Sequence, residues 1–212
     1  MSDATRTRVP SAVRTQQAID IAVDEFGTHG FDGTSMQALA RRLGVSKVIL
    51  YRLFGDTLSL YRAAVEEAGR RLGVVVEEAQ AAIEGTSRSE RAGVGVRAVL
   101  DGMRLNAKSV ALLRDVPHDA NAAAIARAEH ERFNQALLAT MVRSGRDRFP
   151  QANKDEVRWT VAFFHGGLMA LFEEYLLASA ADNTTATTDD SVFVEYFTTK
   201  LVPILIRGIA GG

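Results

Sequence analysis

Arg41, Arg42, Lys47 and Arg52 lie within a stretch of twelve residues, and Arg6, Arg8 and Arg14 precede it. Cations gathered in this way supply the local positive charge that a DNA-binding surface needs. The chain's net charge of -1 does not oppose that reading, because acidic residues elsewhere in 212 positions can offset a basic module.

The residues around these cations describe how they are held. Thr34 is placed to cap a helix with its hydroxyl. Met36, Leu39, Ala40 and Leu43 recur at helical spacing and make one apolar stripe. Gly44 then stands where a helix ends in a left-handed residue, and Val45 plugs the turn. Ser46 caps a second helix, in which Ile49 or Leu50 and then Phe54 return to the core. Two short helices joined by a tight turn are a helix-turn-helix, whose second helix enters the DNA major groove.

Other chemistries lack their residues. There is no cysteine, hence no disulfide, thiolate metal site or cysteine nucleophile. A di-iron bundle needs paired Glu-x-x-His helices. Here His130 is flanked directly by Glu129 and Glu131, and Glu173-Glu174 has no matching histidine. His29, His118, His130 and His165 are scattered, with no phosphate-binding glycine loop and no Ser-His-Asp spacing. The expectation is a non-enzymatic protein with no cofactor and no metal. No apolar run reaches the roughly 20 residues of a membrane span, and the N-terminus lacks the apolar core of a signal peptide. A cytoplasmic protein with no membrane partner is expected.

The remaining chain must carry this module. The spacing predicts a first helix over Ser11–Thr28, apolar along Ala18, Ile19, Ala22, Val23 and Phe26, ended by Gly30 with Phe31 as a plug. Gly55-Asp56 breaks the recognition helix, and Asp56 caps a fourth helix from Thr57, which Gly69 and Gly73 weaken. Helices are then predicted to about Asn106, over Ala107–Asp115, Asn121–Ser144, Lys154–Ala180 and Ser191–Ile209. A loop is placed over Gly145–Asn153, and a kink at Pro203. The fold class is all-α: residues 1-55 form an arm and DNA-binding domain, and residues 56-212 a larger helical body.

The body suggests two further roles. The helix over Lys154–Ala180 is apolar on most sides and must be covered on most sides. Together with the last helix it predicts a homodimer interface, with Gly166-Gly167 allowing close approach. Met103, Phe133, Leu137, Met141, Trp159 and Phe163 are candidate walls of a ligand cavity, and His165 is either the polar group that would orient the ligand or a satisfied core or interface histidine. A small apolar or amphipathic effector suits such a lining.

From about Arg14 to Val65 the chain resembles the TetR family of bacterial transcriptional regulators. The resemblance rests on Ala18-Ile19 through Phe26, Gly30-Phe31, Thr34, Leu39-Ala40, Gly44-Val45-Ser46, Leu50-Tyr51, Phe54 and Leu60. It implies a homodimer joined through the last two helices, an effector pocket in the body, and a roughly palindromic double-stranded operator. It places Ser46, Lys47, Val48 and Ile49 at base edges, with Arg52 beside them. Lys47 would donate to guanine, and Val48 or Ile49 would touch thymine methyls. Tyr51 and Thr34 would contact phosphate. Thr57 stands at a backbone-serving position usually held by lysine, and Leu53 where histidine or tyrosine is usual. These departures shift the expected load to Arg41, Arg42, Arg52 and the arm. The implied function is a ligand-responsive regulator, in the first instance a repressor. The alternative is a ligand- or partner-binding protein of the same fold without strong DNA binding.

Overall fold

The computed structural model describes residues 11–87, 90–148, 151, 153–181, 195–201 and 203–204. Among these residues every element is helical: α1 (Ser11–His29), α2 (Met36–Leu43), α3 (Lys47–Phe54), α4 (Thr57–Ala82), α5 (Arg91–Leu105), α6 (Ala107–Leu113), α7 (Ala120–Arg148), α8 (Lys154–Ala181) and a π-helical turn at Phe197–Leu201. The all-α expectation holds. The basic arm at Arg6 and Arg8, and most of the last helix, lie outside the described residues. The helices form two compact units. One comprises the described residues of Met1–Val74 and Met103–Arg132; the other comprises those of Val75–Gly102 and Phe133–Gly212.

The first unit is built around three aromatic rings. Phe26 of α1 meets Tyr61 of α4 edge-on at 5.0 Å between centroids, and Phe31 meets Tyr61 at 4.8 Å. Such pairs contribute roughly 0.5–1.5 kcal/mol beyond the area they bury. Gly30 makes this possible: its φ of +68° reverses the chain after α1, so that Phe31 folds back as the predicted plug. Ala18, Ala22 and Val23 of α1, and Leu60, Ala64, Val65 and Ala68 of α4, complete the core. α1 also packs on α6, where a Cβ on Gly27 would overlap the Lys108 carbonyl.

Two local expectations are corrected, at the start of α2 and at the end of α7. The cap of α2 is Ser35 and not Thr34: the Ser35 hydroxyl accepts from Ala38 N–H at 3.2 Å. The Thr34 hydroxyl instead donates backward to the Gly30 carbonyl at 2.8 Å, tying the turn rather than the helix. α4 runs through Gly69 and Gly73 to Ala82 in spite of the weakening they bring. The Glu129 carboxylate occupies the space that a Cβ at Gly69 would need. The second correction is at α7, which continues through Gly145 to Arg148, into the predicted loop.

In the second unit, Val157 and Val161 of α8 are buried against Leu138, Met141 and Val142 of α7. Gly102 lets α5 lie against Val75 of α4. A π turn spans Phe197–Leu201, and residues 203–204 are helical.

Candidate nucleic-acid interface

The turn between α2 and α3 is closed by backbone bonds. Gly44 sits in the left-handed region at φ +70°, and its N–H reaches the carbonyls of Ala40 and Arg41. Val45 N–H bonds to the Ala40 carbonyl at 3.0 Å. Both bonds satisfy carbonyls that the end of α2 would otherwise leave unpaired. Ser46 is the N-cap residue of α3, with φ -76° and ψ 149°, but its hydroxyl makes no cap bond.

This frame rotates α3 so that Leu50 is buried at 1% exposure while Lys47, Val48, Tyr51 and Arg52 face outward with Ser46. Val48 is 73% exposed, a large exposure for an apolar side chain, and Tyr51 is 40% exposed. Ile49 is half-buried, which distinguishes the two candidate methyl readers in favour of Val48. Lys47 Nζ lies 5.4 Å from the centroid of the Tyr51 ring. That cation–π contact, about 0.5–1 kcal/mol at an exposed site, holds the ammonium along one edge of the face. Of the predicted DNA-contacting residues, Thr57 begins α4 and is half-buried, as is Leu53.

Arg42 does not join this face. Its guanidinium donates to Glu25 at 2.7 Å and lies 3.5 Å from Asp24, both on α1. The Glu25 carboxylate raises its pKa further. Its role is therefore to tie α2 to α1, and the expected compensation for Leu53 and Thr57 narrows to Arg41, Arg52 and the arm.

A second set of polar contacts meets the same unit from outside the helix-turn-helix. The Asp115 carboxylate, just after α6, accepts from Phe31 N–H at 2.9 Å and from the Tyr61 hydroxyl at 3.2 Å. Burial, then the Asp115 charge, pushes the Tyr61 hydroxyl far above its ordinary pKa, so it stays protonated and can donate to Asp115. Asp32 accepts from His118 N–H at 2.9 Å, with His118 Nδ1 at 2.8 Å from the same oxygen. The backbone and ring bonds from His118 hold Asp32 below the usual carboxylate range. No periodicity or local motif marks these residues, which meet across 84 and 86 positions of sequence.

The predicted ligand-binding residues separate. Met103 is buried in the first unit. Phe133, Leu137 and Met141 are half-buried on α7 in the second. Trp159 and Phe163 line no cavity among the described residues: they turn outward, 60% and 78% exposed. His165 is buried, its Nε2 has no hydrogen-bond partner among the described residues, and burial lowers its pKa, favouring the neutral ring. An open groove of about 480 Å³ between α5 and the π turn includes Glu90, Arg97, Asp101 and Thr198, none of them predicted. Among the described residues no cluster of His, Asp or Glu could hold a metal ion, and no helix is long and apolar enough to cross a membrane.

Comparison with known proteins decides what this frame is. Residues 18–64 match the family model of bacterial regulatory proteins, tetR family. The helix-turn-helix unit is that of the TetR family. A helix-turn-helix transcriptional regulator of Bacillus subtilis (strain 168), YezE, itself uncharacterised, is 27% identical over 128 residues. That match covers 58% of this chain and 66% of YezE. A protein of Mesorhizobium loti MAFF303099 assigned to the TetR family superposes with a TM-score of 0.71 at 17% identity, covering 94% of this chain and 98% of that one. A TetR-like transcriptional regulator from Rhodococcus sp. RHA1 gives 0.61 at 24% identity, over 97% and 100%. These two likenesses extend the TetR fold over nearly the whole chain. TetR proteins are transcriptional regulators and not enzymes, and the family carries DNA binding with it.

Proposed function

We propose that this TetR-family protein is a ligand-responsive repressor that binds a roughly palindromic operator as a homodimer in the cytoplasm. The observation that carries the reading is the outward face of α3. Lys47, Val48, Tyr51 and Arg52 are held clear of the core by a closed turn, and they combine donors with one exposed methyl-bearing side chain. Lys47 then donates to guanine, Val48 packs on a thymine methyl, and Tyr51 and Arg52 engage the backbone and adjoining base edges. Ser46 brings a hydroxyl that no cap bond uses. Thr34 has both its hydroxyl and its N–H engaged within the turn, on the Gly30 and Phe31 carbonyls, so a phosphate contact there falls to the adjacent N–H groups at the start of α2. Thr57 is a weaker backbone contact than lysine.

Dimerisation is supported by α8. Trp159, Ala162, Phe163, Gly166 and Ala170 are all exposed, and they fall on one arc of the helix opposite Val157, Val161 and His165. An apolar arc of that length in water calls for a partner, and a second α8 presents the same surface. In this division of labour residues 1-55 read DNA, and residues 56-212 dimerise and hold the effector. His165 is the polar anchor for a small apolar or amphipathic effector, since a buried ring nitrogen without a partner is costly until something bonds to it. α4 follows the recognition helix directly, so a shift of α4 alters the spacing of the two α3 helices and hence operator affinity.

Selection of bound fragments from random DNA tests the whole reading. The expected product is a two-fold symmetric sequence with half-sites about one helical turn, roughly 34 Å, apart. Absence of any enriched sequence would refute DNA reading, and a single unrepeated half-site would refute the dimer.

A further inference from the structure

Asp115 and His118 lie more than fifty residues beyond the family-matched region that ends at residue 64. Yet they hold its first turn. Phe31 is followed by the short connection that leads into α2, and its N–H is bonded to Asp115. Tyr61, the ring on which Phe26 and Phe31 both pack, gives its hydroxyl to the same carboxylate oxygen. One residue after Phe31, Asp32 receives both the N–H and the ring nitrogen contact of His118. The two carboxylates therefore face opposite ways: one from the segment after α6 onto the α1–α2 turn, the other from the turn back onto that segment. The fit is close. A Cβ on Gly30 would lie 3.1 Å from Asp115 Oδ1, and α6 itself touches α1 through backbone at Gly27. All of these residues belong to the first compact unit.

We infer that Asp115 and His118 are positioning residues for DNA binding: through Phe31 and Asp32 they fix where the α1–α2 turn delivers the helix-turn-helix, so operator occupancy and the order of residues 114–119 are reciprocally linked. The inference rests on the DNA-binding reading above. Reciprocity follows from thermodynamics. If an ordered 114–119 segment favours the DNA-competent placement of α2 and α3, bound DNA must in turn favour the ordered segment. Anything that displaces the segment weakens operator binding without touching DNA.

The test is amide hydrogen exchange on the full-length protein, alone and with the DNA selected from the random pool. The N–H groups of Phe31 and His118 are direct reporters, since each ends on one of the two carboxylates. Saturating operator should slow exchange at Phe31 and across 114–119 several-fold. Asp115→Ala and Asp32→Ala should abolish that response and weaken operator binding about five- to tenfold. Asp115→Asn, which keeps an acceptor oxygen, should recover most of the affinity. Because no phosphate contact is removed, the slope of affinity against salt should stay at the wild-type value in all three variants. A merely structural or a direct DNA-contacting role would not give that combination. Unchanged exchange at Phe31 and 114–119 on DNA binding would overturn the inference, as would wild-type affinity in a folded Asp115→Ala protein. Should Asp115→Ala fail to fold, the wild-type exchange experiment decides alone. Failure to select any DNA sequence would remove the DNA-binding reading itself and this inference with it, whereas selection followed by a silent 114–119 segment removes only the inference.

Discussion

α3 and α8 both expose side chains that the protein's own core does not cover, but the chemistry they expose differs. α3 is eight residues long and shows Lys47, Val48, Tyr51 and Arg52, with a single aliphatic residue among polar groups. α8 is 28 residues long and shows Trp159, Ala162, Phe163, Gly166 and Ala170 along one arc. Donors with one methyl-bearing residue suit a polyanion whose grooves present acceptors and thymine methyls. A long apolar arc suits a second apolar arc. Exposure alone therefore does not identify a functional face; its composition tells which partner would satisfy it.

The contrast can be broken by inserting charge where it should do most harm. Trp159→Glu or Phe163→Glu places a carboxylate on the α8 arc, where the residue is already solvent-facing in one chain, so the fold should survive. Sedimentation at micromolar concentration should change from dimer to monomer, and operator affinity should fall by at least about a hundredfold as the second half-site contact is lost. A dimer of wild-type strength in both variants would separate α8 from association.

Smaller effects distinguish packing from reading. Gly27→Ala forces α1 and α6 apart and should cost about 1–3 kcal/mol of stability, read as a lowered thermal midpoint. On α3, replacing the thymine opposite Val48 by uracil removes only a methyl group. Affinity should fall a few-fold, and Val48→Ala should erase the difference between the two bases. The caps give a matched pair: Ser35→Ala should destabilise by about 1 kcal/mol because its hydroxyl bonds to Ala38, whereas Ser46→Ala should leave thermal stability nearly unchanged. Salt should weaken operator binding and leave self-association through α8 largely unaffected.

Acid acts on stability in a direction the geometry fixes. Asp32 is held low by His118, Asp56 by Ser59 N–H and Glu67 by Arg70, so each binds its proton less tightly when folded than when unfolded. Their contribution is complete above about pH 5.5, where the unfolded carboxylates are ionised, and is lost as pH falls through the lowered folded values. The thermal midpoint should decline progressively below about pH 4.

The same contrast explains how much could be read from sequence. The α2–α3 unit was legible because its determinants are local: a cap, a stripe, a left-handed glycine and a second start within about twenty residues. Even the misplaced cap of α2, Thr34 for Ser35, exchanges neighbouring hydroxyls and moves the cap by one position. α7 ran past Gly145 because one glycine costs a helix only about 1 kcal/mol. On α8 the limit is of another kind. A helix apolar nearly all round carries no periodicity that separates the arc facing α7 from the arc facing out, so Trp159 and Phe163 were assigned to a cavity. Asp32, Asp115 and His118 were invisible for a third reason: bonds across 84 and 86 residues are set by tertiary packing and leave no spacing to detect.

The central claim is that the outward face of α3 reads DNA, and it is tested most directly by titrating the selected operator with wild-type, Lys47→Ala and Arg52→Ala proteins at fixed salt. The account predicts that each substitution weakens binding by roughly 1–3 kcal/mol, about ten- to a hundredfold, with helicity and dimerisation unchanged. Wild-type affinity in both variants would contradict it.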